Sequence, residues 1–167
     1  QQYTYQAIQE FQLFLDKYPN TSYKSDVNEK VDELIEILEK KAFEKAFLYY
    51  KTGFYNSAVL NFQKVLDDYP DTKRRLLLKY LKIDSYFKYA KESVEEKKVE
   101  RYQLAIEEAS KYLVYLNKNN HNESEYIGKT EALIKKGEDE LEVLKYSIPQ
   151  YYFKKKKYDL AITEWES

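Results

Sequence analysis

The sequence predicts an all-α fold of stacked antiparallel helix hairpins, and three observations predict it. Only three glycines and three prolines interrupt 167 residues, and 34% of the chain is charged, which suits long helices and leaves little material for turns. Apolar residues recur three and four apart through most of the chain. One helical signature, a small residue followed at fixed offsets by aliphatic and aromatic ones, returns around Ala7, Ala58, Ala105 and Ala161.

The most complete copy spans residues 39–72. Ala42, Ala46, Tyr49, Gly53, Tyr55, Ala58, Phe62 and Pro70 stand at the spacing of a 34-residue tetratricopeptide repeat (TPR), with Ala42 and Lys45 in place of its usual Trp and Leu. Ala46 and Ala58 are small because two helices must approach closely where they cross, and Tyr49 and Phe62 fill the space beside the crossing. Gly53 tolerates positive φ and lets the chain reverse. Pro70 lacks an amide proton and ends the second helix, and Asp71 and Thr72 are placed to cap the next one. One such hairpin cannot bury its own apolar faces, so the expected architecture is a TPR superhelix, a single array over residues 1–167. Its second helices are expected near 4–18, 55–69, 101–116 and 158–167.

Taken in order, residues 5–21 superpose on the second helix of the central unit: Phe11 on Phe62, Ala7 on Ala58, Leu15 on Leu66, and Tyr18 and Pro19 on Tyr69 and Pro70. Residues 22–52 hold neither proline nor any glycine, and Val27, Val31, Leu34, Ile35, Leu38 and Ala42 recur at helical spacing. This is one extended helix or two with a break near Lys40. Tyr80, Ile83, Tyr86 and Phe87 mark the apolar face of the next first helix. The polar run 92–99 reads as a long connection, and residues 117–122 as a loop. Ile127, Ile134, Leu141 and Leu144 point inward from a further helix that Gly137 weakens and Pro149 kinks or interrupts. Tyr158, Ala161, Ile162 and Trp165 restate the second-helix signature. With Gln1 in place of Met, an unpartnered first helix and an end inside a helical pattern, the chain is expected to be an internal piece of a longer protein.

Composition excludes several classes. A formal net charge of −1 gives no general pull on nucleic acid. Without cysteine there is no disulfide and no thiolate chemistry. No run of about 18 apolar residues spans a membrane, and no signal peptide is present. The single histidine, His121, has no convergent ligands for a metal, and no phosphate loop or nucleophile elbow is present. The acidic pairs Asp67, Asp68 and Glu107, Glu108 read as solvated helix face, and the sequons at Asn20 and Asn122 as chance matches. No enzyme, cofactor or metal is expected.

In a TPR the first helices line the concave groove. Its slots here are Phe43, Phe47 and Tyr50 in one unit and Tyr80, Asp84 and Phe87 in the next, five of them aromatic, which suits recognition of a peptide or domain. Lys73, Arg74 and Arg75 form a basic turn after the cap, against the helix dipole, and are the second candidate contact. The lysines at 154–157 are a basic run that either stays solvated or meets lipid headgroups or an acidic protein.

Three segments carry a resemblance: YTYQAIQEFQLFLDKYPNT, KAFEKAFLYYKTGFYNSAVLNFQKVLDDYPDTK and KESVEEKKVERYQLAIEEASKYL. In this order, over residues 2–116, the chain resembles the BamD family of outer-membrane assembly lipoproteins. The resemblance implies a non-catalytic, lipid-anchored scaffold at the periplasmic face of the outer membrane, with signal and anchor outside this chain. Its implied partners are the POTRA domains of the barrel subunit BamA, other assembly-machine subunits and unfolded outer-membrane proteins. The alternative readings are a generic TPR adaptor or cochaperone that grips peptide segments, and the helical part of an enzyme whose active site lies elsewhere.

Overall fold

A computed structural model describes residues 2–119 and 125–166. The chain forms seven described helices: α1 (Gln2–Lys17), α2 (Lys24–Lys51), α3 (Tyr55–Asp68), α4 (Arg75–Lys91), α5 (Glu95–Lys118), α6 (Glu125–Lys154) and α7 (Tyr158–Glu166). Each packs on the helices before and after it, and α4 also touches α6. The fold is an all-α, TPR-type superhelix, with α2, α4 and α6 along one layer.

α2 is one uninterrupted helix of 28 residues, about 42 Å long at 1.5 Å per residue. No break occurs near Lys40. The two halves of α2 serve different cores. Val31 and Leu38 pack with Ile8 of α1 and the half-buried Phe11, Leu34 and Tyr69. Ala46 packs with Ala58, Phe62, Val65 and Leu66 of α3 and with Leu78 and Leu81 of α4. Ala46, Ala58 and Phe62 are fully buried at this crossing. A third core joins α4 to α7 through Ile83, Phe87, Ala105, Ala109, Leu144 and Ala161.

Gly53 takes φ 82°, and the Phe54 N–H reaches the Tyr49 carbonyl at 3.0 Å, the closed turn that ends α2. The same turn ends α6, where Lys156 takes φ 58° and the Lys157 N–H reaches the Tyr152 carbonyl at 3.0 Å. Tyr49, Gly53, Tyr55 and Ala58 thus correspond to Tyr152, Lys156, Tyr158 and Ala161.

Three expectations are corrected. Residues 92–94 alone connect α4 to α5, because the polar run 95–99 is helix: Glu95 and Glu96 face the positive end of the dipole, and Lys98 pairs with Glu95 at 2.6 Å. Pro149 does not interrupt α6, which continues to Lys154 with the proline ring fully buried. It removes the hydrogen bond the Lys145 carbonyl would receive and crowds that carbonyl with its ring. Gly137 is a close-packing residue: a Cβ there would stand 2.5 Å from Phe87 Cε1 and 3.2 Å from Ile106 Cγ1. His121 and the second sequon lie outside the described residues.

Candidate partner-binding surface

Phe43, Phe47 and Tyr50 are spaced four and three apart and fall on one face of α2. Their rings form a ladder, with centroids 5.6 and 5.7 Å apart and interplanar angles of 12° and 13°. All three are part-buried and leave an edge open. Cations sit over them: Arg74 over Phe43 at 5.8 Å, Lys51 over Phe47 at 5.0 Å, and Lys88 over Tyr50 at 4.1 Å.

The Tyr50 hydroxyl donates to Asp84 and accepts from Lys88. Asp84 and Lys88 are paired at 2.8 Å along α4. Tyr50 and Asp84 are 34 residues apart, one repeat length, so successive units are tied at equivalent positions. Burial and the hydrogen bond to Asp84 push the Tyr50 phenol up. Burial pulls the Lys88 ammonium down, but its hydrogen bonds to Asp84 and Tyr50 outweigh this and raise it to about 12.

Two of the six groove candidates are not groove surface. Phe87 is 6% exposed and is covered by α6, which can approach because residue 137 has no side chain. Asp84 is 8% exposed and is spent on Tyr50 and Lys88. Tyr80 remains part-exposed and continues the aromatic surface to α6: its ring lies 5.3 Å from that of Tyr126, with Lys129 over both.

The basic turn is also not one patch. Lys73 faces solvent. Arg74 pairs with the buried Glu39 of α2 at 2.8 Å. The Thr72 hydroxyl donates to the same carboxylate at 2.6 Å and accepts the Arg74 N–H at 3.0 Å. Arg74 therefore fastens the α3–α4 turn to α2, and its carboxylate partner explains why a cation is tolerated at that helix start. Arg75 begins α4 itself. The lysines at 154–157 are exposed at the α6–α7 turn, where Lys155 and Lys157 lie over Tyr151 and Tyr152.

Glu39, Lys88 and Gly137 escaped the sequence reading. Glu39 was detectable, being a carboxylate seven residues before Ala46 on the buried side of α2. Lys88 is four residues beyond Asp84, the spacing of a helical ion pair. Gly137 gave no such signal, because its partner Phe87 lies 50 residues away in sequence.

Stacked hairpins carrying a cation-fringed aromatic ladder make the molecule an all-α helical-repeat protein of TPR type. Residues 1–82 match the family model YfiO, described as an outer membrane lipoprotein. That match supports the BamD-like resemblance over the first half of the chain, where α1, α2 and α3 and the whole Phe43–Phe47–Tyr50 ladder lie. No curated protein matches the chain. Among the described residues no helix is long and apolar enough to cross a membrane.

Proposed function

We propose that the chain is a non-catalytic scaffold subunit of the outer-membrane β-barrel assembly machinery and docks the periplasmic POTRA domains of the barrel subunit. The family match supplies the setting. The observation that carries the docking role is the ladder of Phe43, Phe47 and Tyr50, held in register before any partner arrives. Preorganised aromatic rings lose little entropy on binding and make strong anchors. Lys51, exposed over Phe47, favours a partner segment whose apolar side chains are flanked by a carboxylate, whereas Arg74 and Lys88 are already paired with Glu39 and Asp84.

The test is capture from detergent-solubilised envelopes with the tagged full-length protein, followed by mass spectrometry. Recovery of the barrel subunit in near-equal amount supports the reading. Recovery of a soluble chaperone or envelope enzyme in its place favours a generic TPR adaptor.

A further inference from the structure

On the side of α4 turned away from Asp84, Arg75, Lys79 and Lys82 form a basic ridge at spacings of four and three. Lys79 and Lys82 of this ridge floor a cleft of about 80 Å³, walled by Glu108, Lys111, Tyr112 and Tyr115. Lys82 bridges both walls: it donates to Gln63 of α3 at 3.0 Å and to Glu108 of α5 at 3.2 Å. Lys111 holds the other oxygen of Glu108 at 2.9 Å and also pairs with Glu107 at 2.8 Å. Glu108 is thus no solvated surface acid. Burial raises its carboxyl, but the bond to Lys111 and the charge of Lys82 outweigh this and hold it below the usual range.

Lys79 is different. Among the described residues it has no ion-pair partner, and its ammonium rests 4.3 Å from the centroid of the Tyr115 ring. Burial, then the neighbouring charges of Lys82 and Arg75, pull its pKa down. Lys79, Lys82 and Lys111 outnumber Glu108 among the residues lining the cleft, so it is locally positive on a protein whose formal net charge is −1.

We propose that this cleft binds a phosphate-class oxyanion, gripped by Lys79 with Lys82 and Lys111 beside it. Glu108 shows that two of these ammonium groups already converge on one oxyanion, and the third rests on the Tyr115 ring within the field of the same carboxylate. The cleft, about 80 Å³, has room for one small tetrahedral group. Ammonium groups act as rotatable point charges, which suit a phosphate without demanding the planar match of a guanidinium fork.

The experiment titrates inorganic phosphate into the protein at low ionic strength and follows the lysine side-chain signals by NMR. The expected result is saturable shifts at Lys79, Lys82 and Lys111, with the binding reported by Lys82 and Lys111 at least tenfold weaker in Lys79→Gln and in Lys79→Glu, and unchanged in Lys135→Gln on the exposed side of α6. A linear, unsaturable drift in the wild type, or equal shifts in all variants, overturns the proposal. A second arm uses vesicles of phosphatidylcholine with and without phosphatidic acid. Flotation that needs both phosphatidic acid and Lys79 assigns a lipid headgroup, whereas saturable phosphate binding without flotation assigns a free anion.

Discussion

Gly137→Ala tests whether Phe87 is core or groove. A methyl at position 137 would meet Phe87 Cε1 at 2.5 Å, where ordinary contact begins at 3.4 Å. The ring or helix α6 must therefore move by about 0.9 Å in a close-packed interior. Ile106 stands at 3.2 and 3.3 Å on the other side and limits the escape. Overpacking of this kind costs about 1–3 kcal/mol, and the better helix propensity of alanine returns about 0.8–1 kcal/mol. The expected net loss is about 1 kcal/mol. In a Phe87→Leu background the 2.5 Å ring contact is removed and only the 3.2 and 3.3 Å contacts with Ile106 oppose the propensity gain, so the same substitution should stabilise by at most about 0.8–1 kcal/mol. Denaturant unfolding followed by far-UV circular dichroism measures all four corners of this cycle. Stabilisation by Gly137→Ala in the wild-type background would refute the packing argument and return Phe87 to the groove.

Two further expectations concern backbone and charge. Lys156→Gly should raise stability by roughly 0.5–1 kcal/mol, because the left-handed backbone strains a lysine while glycine accepts it at some entropic cost in the unfolded chain; a lowered denaturation midpoint would contradict the turn's equivalence to Gly53. Tyr50 and Lys88 both have folded pKa values raised above their ordinary 10.0 and 10.5. Their contribution to stability is therefore complete below those values and lost as pH rises through the folded values, about 12 for Lys88. Alkaline denaturation should be steeper in the wild type than in Tyr50→Phe, and identical slopes would dissociate the network from stability.

What the sequence made legible was local. Ala46, Gly53, Ala58 and Pro70 sit within one hairpin, and their spacing encodes a crossing, a reversal and a stop that neighbouring residues decide. The ladder of Phe43, Phe47 and Tyr50 was legible for the same reason, since four-and-three spacing on one helix fixes a shared face. What was not legible depended on distant partners. Phe87 and Tyr80 look alike as groove slots, but only Phe87 meets a residue without a side chain on α6. Arg74 looked free until Glu39, 35 residues earlier, turned inward to meet it. Glu108 carried the same disguise, its burial set by Lys82 on another helix. The run from Glu95 differs in another way: its polarity suits a loop, but acidic residues followed by basic ones are also the charge order of a helix start.

The central claim is that the aromatic groove is the docking face for POTRA domains. The most direct measurement is the affinity of the full-length protein for the purified POTRA domains of the barrel subunit from the same cell, for wild type, Phe43→Ala with Phe47→Ala, and Lys51→Glu. Far-UV circular dichroism identifies the variants that remain folded, and Lys51 is exposed, so its reversal leaves the core intact. The account expects saturable binding by the wild type, a loss of roughly tenfold or more in the double variant from removal of two anchors, and a smaller loss in Lys51→Glu that shrinks at high salt. Equal affinity for all folded variants, or no binding by the wild type, would contradict it.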